Sequence, residues 1–149
     1  MAAAKIDLEN INICPGTLDE GFSTYSPIAL RRVFDNRKVS HILPYNSPRA
    51  ETEDTEKFIE NRERISISGV QVKSSMLLDK NKLRLTEEGE QGTYILKPIP
   101  SDVKNPQMVP ANEHLTMQIA KQIYKINTAE NAMIFFKDGE PAYITKRFD

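Results

Sequence analysis

The chain has 149 residues, of which 39% are hydrophobic and 28% charged, with a formal net charge of −1. That size suits one domain or one lobe of a larger protein, the composition excludes wholesale disorder, and the balanced charge removes any general electrostatic case for direct nucleic-acid binding. One cysteine (Cys14) permits no intramolecular disulfide, two histidines (His41, His114) give no metal-ligand cluster, and no apolar run reaches the roughly 20 residues that span a bilayer, so the expectation is a cytoplasmic protein with no membrane partner.

Residues 1–25 scatter Asn10, Asn12, Pro15, Gly16, Gly21 and Ser23 among isolated apolar residues, which reads as an irregular arm with one short strand at 11–14. Ser26-Pro27 then supplies a helix cap and a first-turn proline. Ile28, Leu30, Val33 and Phe34 recur at helical spacing, predicting a helix over 27–35. Residues 39–48 carry Leu43-Pro44, Asn46 and Ser47-Pro48 and read as a loop, and the charged stretch RAETEDTEKFIENRER (49–64) reads as a solvated helix.

The centre of the chain is RISISGVQVKSSMLLDKNKLRLTEEGEQGTYILKP (64–98). It opens on a small polar loop around Ser66, Ser68 and Gly69. Three apolar runs follow, at 76–78, 82–85 and 94–96, separated by Asp79-Lys80-Asn81 and Gly89-Glu90-Gln91-Gly92, and the turn residues between them predict a three-stranded meander. Lys97 sits where the third strand ends. Backbone N–H groups in a loop and an ammonium on a neighbouring strand both aim positive charge at phosphate oxygens.

After a loop at 99–109, Pro110 starts a helix. At about 100° per residue, Leu115, Ile119, Ile123, Ala120, Tyr124 and Met117 share one broad apolar arc, expected to face the core, while His114, Gln118, Lys121 and Gln122 take the other side. Glu113 is the charged residue inside that arc. A carboxylate turned toward a core needs a partner, and Lys97 is the candidate; the plainer alternative is a wet carboxylate complementing the helix dipole. The last segment has strand-like runs at 132–136 and 142–145 joined through Asp138-Gly139, a hairpin signal. The chain ends on Lys146-Arg147-Phe148-Asp149 with no cap or tail, which reads as an interruption.

Strands, one inward-packing helix after the lysine strand, and a hairpin leading out have the layout of a protein-kinase amino-terminal lobe. The motifs narrow this. Ser66-Ile67-Ser68-Gly69-Val70-Gln71 with Lys73, Ile95-Leu96-Lys97-Pro98, Pro110-Ala111-Asn112-Glu113 with Leu115-Thr116-Met117, and Lys146-Arg147-Phe148-Asp149 occur in that order. Together they resemble HipA-family kinase toxins, with the nearest likeness to the shorter HipT-type members, whose chains begin near a Cys-Pro motif such as Cys14-Pro15. The resemblance covers roughly residues 14–149, and the chain departs from the family pattern at Val72 and Ser74-Ser75.

The resemblance implies an α+β fold: a kinase-like N-lobe at 64–149 with an antiparallel sheet of about five strands, ending at the hinge, behind a helical and irregular N-terminal extension at 1–63. It implies a serine/threonine kinase of a toxin-antitoxin system that uses ATP and Mg, acts on a protein substrate such as an aminoacyl-tRNA synthetase, and is held in check by an antitoxin of HipB type. By position, Ser66 and Ser68 match serines that such kinases autophosphorylate. Gly69, Val70, Gln71 and Lys73 match the phosphate-contacting loop, Lys97 and Glu113 the phosphate lysine and its helix partner, and Lys146 to Phe148 the hinge facing the adenine. The family's catalytic aspartate and metal ligands lie in a C-terminal catalytic lobe that has no counterpart in these residues, so no catalytic or metal residue is assigned and the lobe alone is expected to be inactive. The alternative, from another class, is a non-catalytic module that engages an antitoxin or a separate kinase lobe.

Overall fold

The computed structural model describes residues 7–63, 72–100 and 105–147. Among these, α1 (Pro27–Phe34) and α2 (Asp54–Glu63) precede a sheet built from β1 (Ser74–Asp79), β2 (Lys82–Leu85), β3 (Tyr94–Pro98), β4 (Asn131–Phe135) and β5 (Pro141–Lys146). The long helix α3 (Val109–Gln122) lies between β3 and β4 in the chain. Every pairing among these five strands is antiparallel, and the order across the sheet is β2-β1-β3-β5-β4. The fold is α+β, with the five strands and three helices of a kinase-like lobe.

Local chemistry accounts for most of these elements. The Ser26 hydroxyl accepts from the Ala29 N–H at 3.2 Å and Pro27 occupies the first turn, so α1 starts where the cap satisfies an otherwise unpaired donor. It stops at Asp35, whose backbone is left-handed (φ 52°). β4 and β5 close through Gly139, at φ +93°, a conformation that costs glycine nothing. The expected strand at 11–14 shrinks to a single bridge, Ile13 to Glu20.

The three-stranded meander is corrected. β1, not β2, is the central strand of the three, pairing with β2 on one edge and β3 on the other. The loop between β2 and β3 carries the chain back past β1: the Thr93 N–H donates to the Met76 carbonyl at 2.9 Å, and a Cβ on Gly92 would fall 1.9 Å from Ser75 Oγ. Glycine at 92 is what lets that loop lie against β1.

Alternation along the strands separates two faces. Tyr94, Leu96, Ala132, Ile134, Ala142 and Ile144 join the main apolar cluster, which also takes Tyr25, Ala29, Val33, Phe34, Leu43 and Phe58 from the N-terminal part of the chain. One core therefore draws on both sides of the 63/64 boundary. Its aromatic spine runs Tyr25–Phe34–Tyr94, with centroids 4.9 and 5.9 Å apart, and Tyr45–Phe58–Phe136, at 5.6 and 5.7 Å. The opposite face carries Lys97, Tyr143 and Asn131, and α3 packs there against β4 and β5.

The charged helix α2 does more than sit in solvent. Phe58 is buried in the core and Asn61 is fully buried. Asn61 accepts the Ser75 N–H at 2.7 Å and donates to the carbonyls of Ser75 (3.0 Å) and Thr86 (3.1 Å). A buried amide with its donors and acceptor satisfied ties a helix to specific backbone positions, and here it fixes the start of β1, where Ser74-Ser75 depart from the family pattern.

N-terminal residues also finish the sheet. The outer edge of β4 would otherwise present unpaired backbone groups. Met133 N–H donates to the Pro15 carbonyl (2.8 Å), Phe135 N–H to that of His41 (2.9 Å), and Leu43 N–H to the Phe135 carbonyl (2.7 Å). No helix among the described residues is long and apolar enough to cross a membrane.

Candidate functional site

The α3 face of the sheet brings three of the polar side chains together. Lys97 projects from β3, and its Nζ donates to Glu113 Oε1 of α3 at 2.7 Å. Both side chains are partly buried, at 19% and 28% exposure, so the pair is shielded but still in touch with solvent. Tyr143 stands directly opposite Lys97 in the β3–β5 register, and the ammonium lies 5.5 Å from the centre of its ring, within cation–π range. Burial, reinforced by the Glu113 charge, pushes the Tyr143 hydroxyl up to about 12. It is therefore a neutral donor and an aromatic wall at physiological pH.

Lys73 precedes Ser74, whose register partner is Leu96, so it lies at the end of β1 nearest the strand position of Lys97. Lys146 behaves differently. Its Nζ binds Asp35 at the end of α1 (2.5 Å), its N–H donates to the Glu130 carbonyl (2.8 Å), and the Arg147 N–H donates to Thr93 (2.9 Å). These donors, expected to belong to a hinge, are engaged within the chain. Ser66, Ser68, Gly69, Val70, Gln71 and Phe148 lie outside the described residues. No group of three or more metal-ligating side chains occurs among the described residues.

The helix that carries Glu113 faces the opposite way from the expectation. The residues of α3 buried against the protein are Pro110, His114 and Gln118, whereas Leu115, Ile119, Ile123 and Tyr124 are exposed, Ile123 at 69% and Tyr124 at 70%. The reason lies in what α3 meets. His114 Nε2 donates to the Gly16 carbonyl (2.7 Å), Gln118 to Asn131 Oδ1 (3.0 Å) and Gln122 to the Thr17 carbonyl (2.9 Å), so the facing surface offers acceptors. A stripe of donors at i, i+4 and i+8 satisfies them, and an apolar stripe would have left them unpaired. Burial drops His114 to about 4, which keeps it neutral.

The loop that receives α3 is itself pinned. Cys14 Sγ accepts the N–H groups of Gly16 (3.3 Å), Thr17 (3.3 Å) and Ser26 (3.2 Å). Burial pushes the thiol up, and the hydrogen bonds of Ser26 and Thr17 outweigh that, leaving it below its ordinary value. Gly16 has no room for a side chain, since a Cβ there would lie 2.7 Å from Ala29 Cβ.

Tyr143, His114 and Gln118 were not singled out as site or packing residues from sequence. Strand pairing could have found Tyr143, because a residue of the final hairpin must face Lys97 once β5 joins β3. Nothing local marks His114 or Gln118, whose partners are 98 and 13 residues away.

Residues 65–149, more than half of the chain, match the family model of the HipA-like C-terminal domain. No curated protein matches the chain.

Proposed function

The chain belongs to the HipA-like C-terminal domain family, and from that premise we propose that it is the nucleotide-binding lobe of a HipA-type serine/threonine kinase toxin. The observation that carries this reading is the Lys97–Glu113 pair, a strand lysine held by a helix carboxylate at 2.7 Å across the sheet face. Kinase-type phosphoryl transfer depends on such a pair, because the carboxylate fixes the ammonium where it meets nucleotide phosphates and the remaining chemistry is positioning and charge neutralisation. In this reading Lys97 contacts ATP phosphates, Lys73 adds positive charge beside it, Tyr143 walls the lysine from water, and the residue 66–71 loop with its Ser66 and Ser68 hydroxyls covers the phosphates. Lys146 to Phe148 contribute the connection beside the base.

ATP and Mg are the implied ligand and metal. The lysines fit the phosphates, and in this reading the metal ligands and the catalytic base come from a C-terminal catalytic lobe, as the family resemblance implies. The protein substrate, such as an aminoacyl-tRNA synthetase, and an antitoxin of HipB type are proposed with it. Phosphorylation of Ser66 or Ser68 would add about −1.5 to −2 of charge at the loop, repelling ATP and switching the lobe off.

The test is titration of the 149-residue chain with a fluorescent ATP analogue and magnesium. Saturable binding is expected, weakened at least about tenfold by Lys97→Ala or Glu113→Ala, as loss of a charge-assisted contact implies. Ser66→Asp and Ser68→Asp should weaken it more than the corresponding Ala changes. Binding unaltered in both pair variants sinks the assignment and leaves the non-catalytic module as the reading.

A further inference from the structure

The Lys97–Glu113 pair is set by the rotation of α3 about its own axis, since Glu113 and its neighbour His114 are offset by about 100° around the helix. Glu113 reaches Lys97 on one side while His114, 1% exposed, points at the Gly16 carbonyl on the other. A helix turned by a few tens of degrees loses both contacts. Of the two, the Gly16 end is the stiffer: Cys14 Sγ gathers three backbone N–H groups, Pro15 is bonded to the edge of β4, and Gly16 is wedged against Ala29 of α1.

We propose that His114 is a positioning residue for the nucleotide site: its hydrogen bond to the Gly16 carbonyl fixes α3 in the orientation that delivers the Glu113 carboxylate to Lys97. The N-terminal loop 14–17 is then the base plate of the site although none of its residues faces Lys97. Gln118 and Gln122 extend the same polar stripe along the helix, Gln122 reaching the same loop at the Thr17 carbonyl, but His114 is the buried member adjacent to Glu113. The inference rests on the reading of Lys97 and Glu113 as nucleotide contacts, and it adds a residue on the far side of the helix that touches neither nucleotide nor lysine.

The experiment is a double-mutant cycle on the full chain, read as affinity for the fluorescent ATP analogue with magnesium, after circular dichroism has confirmed that each variant is folded. His114→Phe keeps a ring but removes the donor, and should weaken binding about tenfold. His114→Gln, whose amide reaches a similar position, should restore affinity to within about twofold. In the Glu113→Ala background His114→Phe should add nothing, because a residue that acts through Glu113 has nothing left to position. If His114→Phe does not fold, His114→Asn, too short to reach Gly16, carries the same expectation. Unchanged affinity in His114→Phe or His114→Asn alongside a weakened Glu113→Ala overturns this inference alone, as does a penalty that adds in full to that of Glu113→Ala. Unchanged affinity in Glu113→Ala and Lys97→Ala overturns the underlying reading and this inference with it.

Discussion

Helices α1 and α3 flank the same sheet and obey opposite rules. In α1 the apolar stripe goes inward, with Ala29, Val33 and Phe34 buried and Arg31 and Arg32 in solvent. In α3 the polar stripe goes inward, with His114 and Gln118 buried and Leu115, Ile119 and Ile123 in solvent. The difference is set by the surface each helix meets. α1 faces Tyr94, Tyr25 and the core, an apolar bed where burying area is the favourable term. α3 faces carbonyls of Gly16 and Thr17, the Asn131 amide and the Lys97 ammonium, where matching donors to acceptors decides the outcome.

Changes that probe this contrast have graded effects. Phe34→Ala removes a fully buried ring from the α1 bed and should destabilise the fold by about 3–5 kcal/mol, measured as a shift in the urea midpoint at constant slope. An intact midpoint would remove α1 from the core.

The next effect is one of pH. Because the folded His114 titrates near 4 against 6.5 for a free histidine, the unfolded chain binds the extra proton between those values. Stability from this residue is complete above about pH 6.5 and falls as pH drops toward 4, by roughly 3 kcal/mol over the window. Urea unfolding of the wild type and His114→Gln at pH 7, 6 and 5 should show a steeper fall in the wild type; parallel curves would mean that His114 is not buried neutral.

Gln118→Ala should cost about 1–3 kcal/mol by stranding its buried partners. A thermal melt reads it, and a cost below that of an exposed α3 substitution would contradict the inward polar stripe. Smallest of all, Ile123→Ser on the exposed side should stay within about 0.5 kcal/mol of the wild type. A loss as large as that of Phe34→Ala would restore the apolar face to the core.

How much of this was legible in the sequence depended on range. α1 and the final hairpin are written in contiguous residues, Ser26-Pro27 and Asp138-Gly139, and they form where those residues sit. The Lys97–Glu113 contact could be anticipated because the two sit on successive elements and a carboxylate so placed needs a cation. The place of β3 beside β1 could not, since it depends on how Gly92 lets a loop return along a strand already paired. The face of α3 was legible only in the wrong sense: apolar spacing was read correctly as a stripe, but the acceptors that claimed the opposite stripe come from Gly16, Thr17 and Asn131, which no window around residues 109–122 contains. Asn61 belongs to the same class, a polar residue in a charged run whose partners, Ser75 and Thr86, lie beyond the next loop.

The closure of β4 by Pro15, His41 and Leu43 sets an order of events during synthesis. The segment that seals this edge is made before the strand it seals, which emerges roughly 90 to 120 residues later, a wait on the order of ten seconds at ribosomal rates. Until β4 is made, Pro15, His41 and Leu43 lack their partners on that strand, and until α3 is made the Gly16 carbonyl lacks His114. Separation of this kind also raises the loop-closure entropy of folding and slows it. A nascent chain arrested shortly before Asn131 leaves the backbone groups of Pro15, His41 and Leu43 without their strand, and release past Phe135 is the step at which this edge closes.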